Sequence, residues 1–151
     1  MATDRSAALS EHYVLGDFLV DETFPDMAKA LAPSEEVQAN LRRLAGVLEQ
    51  VEAHFPGGWA VRSGFRDQAL NEACRELGLP ASADSLHLLG CAADVAPRGE
   101  QDVEAVFHWL SEHGHGGLDL QEAVVYPNKG FIHLAVPHAS YDRPRRFIMR
   151  V

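Results

Sequence analysis

The sequence predicts a single α+β domain, and three observations carry that expectation. Val37, Leu41, Leu44, Leu48, Val51 and Phe55 recur at alternating steps of four and three, the spacing of one stripe on a long helix. Two short apolar runs, 123–126 and 131–136, stand either side of Pro127-Asn128-Lys129-Gly130 and read as two strands of an antiparallel hairpin. A chain of 151 residues with 46% hydrophobic content is long enough to bury one core and too short for two full domains.

Residues 1–33 read as an N-terminal arm lying on that domain, with a short helix at 27–31. Ser34 then caps the long helix, and Glu35 and Glu36 stand at the positive end of its dipole. Pro56-Gly57-Gly58 ends it. A short strand at 59–62 leads into the turn Ser63-Gly64-Phe65-Arg66, and a second helix at 67–77 buries Leu70, Cys74 and Leu77 before stopping at Gly78. Residues 80–85 form a loop, and a strand at 92–95 sets Ala92 and Asp94 on one face with Ala93 and Val95 on the other. A third helix at 101–113 turns Val103, Val106, Phe107 and Leu110 inward. The exit at 113–117 carries His113 and His115, which read as a solvated, dipole-favoured helix end and not as metal ligands. After the hairpin, the basic run Arg143-Pro144-Arg145-Arg146 reads as a solvated edge before a last strand at 147–151.

A formal net charge of −9 argues against nucleic acid or an anionic membrane as the main partner, because both reward a basic face. Residues 1–10 lack an apolar export segment and no later run is long enough to span a membrane, so the expectation is a soluble chain made in the cytoplasm, acting as a monomer. Cys74 and Cys91 have no metal-type spacing and read as packed thiols. No repeat, phosphate-cradling glycine loop or serine-nucleophile elbow is present.

The chemistry is expected in the stretch 85–95, where a histidine and an aspartate enter what otherwise reads as a buried strand. An unpaired carboxylate at Asp94 would cost several kcal/mol, so it needs a partner, either a metal shared with His87 or an arginine such as Arg62 or Arg66. In the hairpin, His133 shares a face with Phe131 and Ala135; standing alone it would read as a hydrogen-bonded core residue. Taken together, His87, Asp94 and His133 are the donor mixture that suits zinc with a fourth position left for water.

The pattern Ser85-x-His87-x-x-Gly90-x-Ala92-x-Asp94 resembles the zinc signature of the D-alanyl-D-alanine carboxypeptidases and L-alanyl-D-glutamate endolysins. Ser63-Gly64-Phe65-Arg66 with Leu70-Asn71, and Tyr126-Pro127 with Gly130-Phe131-Ile132-His133, extend the likeness from about Leu15 onward. The resemblance implies a hedgehog-like fold, a small antiparallel sheet flanked by helices. It implies zinc held by His87, Asp94 and His133, Ser85 bonded to substrate, Arg66 clamping a peptide carboxylate or oxyanion, and a peptidoglycan stem peptide as substrate. With it, the lack of an apolar export segment in residues 1–10 fits a phage or prophage product released by lysis or carried in a virion. Relatives supply a general base beside the third ligand, where this chain has Gly130, Phe131 and Ala135. Glu122, His138 and Asp142 are the nearby candidates for that role. Two rival readings stand: a zinc-stabilised structural or cell-wall-binding module of the same fold with impaired chemistry, and a metal-free domain pairing Asp94 with Arg66.

Overall fold

The computed structural model describes residues 3–113 and 118–151; His115 lies outside them. Helix α1 spans Pro25–Lys29, two residues earlier than the expected start, because Pro25 takes the first helical position, where its missing N–H costs nothing. Helix α2 (Glu35–His54) begins as predicted, with Ser34 Oγ accepting the Val37 N–H at 3.2 Å. Its stripe is the spine of the core: Leu41, Leu44, Leu48 and Val51 have no exposed surface. Leu15, Phe18 and Leu19, from and just after a 3-10 turn at Leu15–Phe18, join the same apolar cluster, and Arg5 ties this segment down by donating to the carbonyls of Leu19, Ala28 and Lys29.

Helix α3 spans Gln68–Glu76, capped by Asp67, whose carboxylate accepts the Leu70 N–H at 2.9 Å. Leu70 and Cys74 are buried as expected, but Leu77 is 60% exposed. It lies past the helix end, where the chain turns out toward Gly78, so the apolar stripe does not carry through it. Helix α4 spans Val103–His113 and turns Val106 and Leu110 into the core. Both cysteines are free, buried thiols. Among the described residues no helix is long and apolar enough to cross a membrane.

Five strands, β1 (Trp59–Ser63), β2 (Ala92–Pro97), β3 (Glu122–Tyr126), β4 (Phe131–Ala135) and β5 (Arg146–Met149), form one sheet in the order β1-β2-β4-β3-β5. The first three pairings are antiparallel, but β5 runs parallel to β3, so the sheet is mixed where an antiparallel one was expected. The cause is local. The chain leaves β4 beside the start of β3, and Gln121 Nε2 holds the carbonyls of Arg143 and Pro144 while its own carbonyl takes the Arg146 N–H. Glu122 therefore pairs with Arg146, and both strands run off in the same direction.

Strand alternation gives this sheet two unlike faces. Ala93, Val95, Ala123, Val125, Ile132 and Leu134 are completely buried in the core. Asp94, His133 and Val124 lie in one register across the opposite face, with Glu122 and Tyr126 on either side of Val124.

Candidate functional site

His87 reaches this face from an element the sequence did not reveal. The strand expected at 92–95 is present in β2, but the part of the 85–95 stretch that carries His87 is a 3-10 turn, Leu86–Leu89, capped by Ser85 Oγ, which accepts the His87 N–H at 3.2 Å. Gly90 follows in the left-handed region (φ +74°), and a Cβ there would lie 2.8 Å from the Val37 carbonyl oxygen of α2, so glycine is required on both counts. The turn lifts His87 out of the strand period and sets it against Asp94 on β2.

His87 is buried, and its Nδ1 lies 2.8 Å from the Gly64 carbonyl oxygen, which can only accept, so Nδ1 carries the proton. Gly64 can hold that position because the Phe18 backbone crosses it so closely that a Cβ would sit 2.1 Å from the Phe18 carbonyl oxygen. Burial first, then the nearby Arg66 guanidinium, push the His87 pKa down and keep the ring neutral. Its bare Nε2 faces Asp94 Oδ1 at 3.5 Å.

His133 stands on the other side of the same oxygen, Nδ1 to Asp94 Oδ1 at 2.9 Å, while its Nε2 meets Glu122 Oε1 at 3.0 Å. Burial opposes a charge on His133, but hydrogen bonds to Asp94 and Glu122 overcome it and raise its pKa to about 9. Burial likewise works against a charged Asp94, and His87 and His133 outweigh it, holding the carboxyl well below its ordinary range. The site therefore calls for positive charge between two carboxylates.

One ligand atom from each of His87, Asp94 and His133 falls within 4.8 Å of the others. Nitrogen and oxygen donors at about 2.0–2.2 Å from a tetrahedral zinc lie roughly 3.4 Å apart. The 3.5 and 2.9 Å separations from Asp94 Oδ1 bracket that spacing. Each histidine also has its second nitrogen committed to an outer acceptor, Gly64 or Glu122, the arrangement that orients imidazole ligands. The donor set fits zinc.

Behind Asp94 lies Arg66, 6% exposed, with Nη2 3.9 Å from Asp94 Oδ2 and Nε donating to Ser63 Oγ at 3.2 Å. Ser63 in turn donates to Asp21, itself buried, at 3.0 Å. Among the described residues Arg66 Nη1 has no hydrogen-bond partner, and Arg66 does not line the cleft. Asp21 was not foreseen: it sits in a mixed acidic stretch with no local period to mark it.

The cleft in front of the cluster encloses about 710 Å³. Ser85, His87, Asp94, Glu122 and His133 all line it, and His138 does not. His138 turns instead to Ser140 Oγ at 2.7 Å. Ala135 shares the His133 face but is completely buried, directly opposite Glu122 on β3. Glu122 thus supplies, from the neighbouring strand, a carboxylate beside His133 where β4 has none. Its Oε2 accepts from Tyr141 Oη at 3.2 Å and pairs with Arg146 at 3.2 Å. Arg143, Arg146 and Arg150 also line the cleft, so the segment read as a solvated edge faces the site. The alternation Arg146-Phe147-Ile148-Met149-Arg150 was the available signal, because period two puts both arginines on one face.

Two histidines and a carboxylate with both spare nitrogens anchored, on the wall of an open cleft, make up the donor set of a metallohydrolase. The sequence profile of the family described as Peptidase M15 matches residues 21–135, more than half of the chain and all three of these residues, and the chain belongs to that family of zinc-dependent metallopeptidases. No curated protein and no solved structure matches it.

Proposed function

We propose that this chain is a zinc peptidase that hydrolyses an amide bond in a peptidoglycan stem peptide, of the D-alanyl-D-alanine carboxypeptidase or L-alanyl-D-glutamate endolysin kind. The observation that carries the reading is the convergence of His87 Nε2, Asp94 and His133 Nδ1 with Gly64 and Glu122 anchoring the other nitrogens. Those three side chains would hold the ion, which supplies Lewis acidity toward the scissile carbonyl and lowers the pKa of water.

The remaining work falls to the chain's own groups. Glu122 Oε1 fixes the His133 ring, while Oε2 lies toward Tyr141 and Arg146 at the cleft, and we assign to this carboxylate the taking up and return of the proton. Burial tends to raise the Glu122 pKa, but His133, Arg146 and Tyr141 more than offset it and hold it low. A base so stabilised is a weak one, and turnover is expected to be slow. Ser85 Oγ accepts the His87 N–H, which leaves its own proton for a peptide carbonyl in the cleft. Arg66, buried behind Asp94, is assigned to holding that carboxylate and not to clamping substrate.

The test is hydrolysis of defined muropeptides, with products followed by mass spectrometry and zinc by elemental analysis. Glu122→Gln is expected to keep zinc and lose about 10²–10⁴ in rate. If His138→Ala stops cleavage and Glu122→Gln does not, the proton carrier is His138. If the wild-type chain binds zinc and cuts none of the muropeptides, it is the binding module of the same fold.

A further inference from the structure

We propose that the open edge of β1, with the cavity beside it, is a second binding site, one that takes an extended peptide bearing ammonium side chains as an added strand. None of the residues lining it lines the zinc cleft, and it does not depend on the peptidase reading. β1 stands at the end of the sheet order, so one of its edges has no strand beside it. Residues 18–22 cover that edge only downstream: Glu22 N–H donates to the Arg62 carbonyl at 3.0 Å, Gly64 N–H to that of Val20 at 3.2 Å and Phe65 N–H to that of Phe18 at 2.9 Å. Upstream, Arg98 N–H donates to the Gly58 carbonyl at 2.9 Å, which fixes the phase of the antiparallel β1–β2 ladder. Ala60 then exchanges bonds with Ala96, and Trp59 and Val61 each turn an N–H and a C=O outward. Those main-chain groups have no partner among the described residues.

A cavity of about 330 Å³ opens at this uncovered stretch, between β1, the 3-10 turn at Leu15–Phe18 and α2. Tyr13 lines it at 6% exposure, and its hydroxyl has no hydrogen-bond partner among the described residues. Burial first, then Glu52, Glu49 and Asp17, push the Tyr13 pKa up, so the hydroxyl keeps its proton and is a donor without an acceptor. A donor left so costs stability, and phenylalanine would fill the same space without that cost. Asp17 and Glu52, in the same cavity, accept backbone N–H groups from Val14 and Gly58, and neither is ion-paired among the described residues. His12 also lines it but is committed to Glu49. Arg98, whose stem crosses Gly58, has no carboxylate partner among the described residues. Such a set suits a ligand that brings carbonyls to Tyr13 and Arg98 and an ammonium to Asp17 and Glu52. A bare metal ion is not that ligand, because among the described residues the one cluster of metal donors is His87, Asp94 and His133. An added strand supplies both groups: its main chain pairs with Trp59 and Val61 while alternate side chains turn toward the cavity. Tyr13 and Asp17 lie before residue 21, where the family match begins, which puts part of this site in the chain's own N-terminal arm.

The test is an amide-resonance titration of the zinc-loaded protein with three peptides: acetyl-Thr-Lys-Thr-Lys-Thr-amide, its counterpart with glutamine for lysine, and the lysine peptide N-methylated at every residue. The lysine peptide is expected to shift the Trp59 and Val61 amides and to bind at least about fivefold more tightly than either of the others. Asp17→Asn combined with Glu52→Gln, which keeps acceptors for the Val14 and Gly58 N–H groups, should erase the lysine-to-glutamine difference. Tyr13→Phe should weaken the lysine peptide by about threefold to tenfold yet melt no lower than the wild type, since the hydroxyl it removes pairs with no other residue. Equal binding of the three peptides, or shifts centred on His87 and His133 with Trp59 and Val61 unmoved, overturns the proposal. So does a Tyr13→Phe variant that melts well below the wild type. Zinc content and muropeptide cleavage should be the same in all these variants, so failure of the peptidase reading would show there and leave the peptide contrast intact.

Discussion

Along β4, Ile132 and Leu134 point into the core with no exposed surface, while Phe131 and His133 look into the cleft, and β2 repeats the alternation with Ala93 and Val95 against Asp94. The core face is held by burial, which is non-directional and worth about 1.5–3 kcal/mol for each large side chain. On the other face each group is tolerable only because another meets it: Asp94 needs the imidazoles and Arg66, and His133 needs Asp94 and Glu122. One face therefore degrades gradually when a residue is lost, and the other loses its chemistry at once.

The largest effects should separate the two faces. His87→Ala, Asp94→Ala and His133→Ala are each expected to abolish stoichiometric zinc binding, read by elemental analysis. Metal binding adds to folding free energy when the unfolded chain lacks the site, so a chelator should lower the melting temperature of the wild type and leave these variants unmoved. Asp94→Ala should cost the most, about 3–5 kcal/mol, because it removes one of the two carboxylates facing the buried Arg66 and the one that both imidazoles share. Leu134→Ala, on the core face, should lose a comparable amount, about 2–5 kcal/mol, yet keep its zinc for as long as it is folded. Full zinc occupancy in any of the three cleft variants would remove that residue from the ligand set. Loss of zinc from folded Leu134→Ala would show that the faces are not separable.

Arg66 sharpens the comparison at a smaller scale. Its guanidinium faces Ser63, Asp21 and Asp94 from a buried position behind the cleft. Arg66→Lys is expected to cost about 1–3 kcal/mol in denaturant unfolding, since a compact ammonium cannot span three partners. Cleavage per folded molecule should change little. An unaltered stability with turnover lost would instead make Arg66 the substrate clamp that the family resemblance implies.

How far the sequence could be read follows the same division. Periodicity marked α2, the β3–β4 hairpin and the faces of β2 and β4, because those faces bury apolar residues at a regular spacing. The direction of β5 was not legible, since it depends on Gln121 gripping a loop more than twenty residues away. The three clustered residues could be picked out as a set because their residue types suit one ion, yet the 3-10 turn that delivers His87 could not. Its strand-like composition is overridden by the Gly90 crossing against α2. Glu122 could be named but not placed, because its position beside His133 is a cross-strand relation.

The smallest effect expected concerns a histidine with the same kind of neighbour and none of the burial. Outside the residues that line the cleft, His12 Nδ1 meets Glu49 Oε1 at 2.6 Å, with the His12 side chain 57% exposed. The hydrogen bond to Glu49 raises the His12 pKa above its ordinary 6.5. Burial tends to raise the Glu49 pKa, but its bonds to Ser10 and His12 win and carry it below 4.5. The His12 contribution is therefore complete below 6.5 and is lost as pH rises through the raised folded value, while that of Glu49 is present above 4.5 and is lost as pH falls through the lowered one. The pair helps hold the N-terminal segment onto α2 chiefly between those two limits. His12→Gln should then melt slightly below the wild type at about pH 5.5 and together with it at about pH 9, with zinc content unchanged at either. Equal deficits at both values would mean that the ring acts by contact and not by charge, and a lowered zinc content would mean that this pair communicates with the cleft.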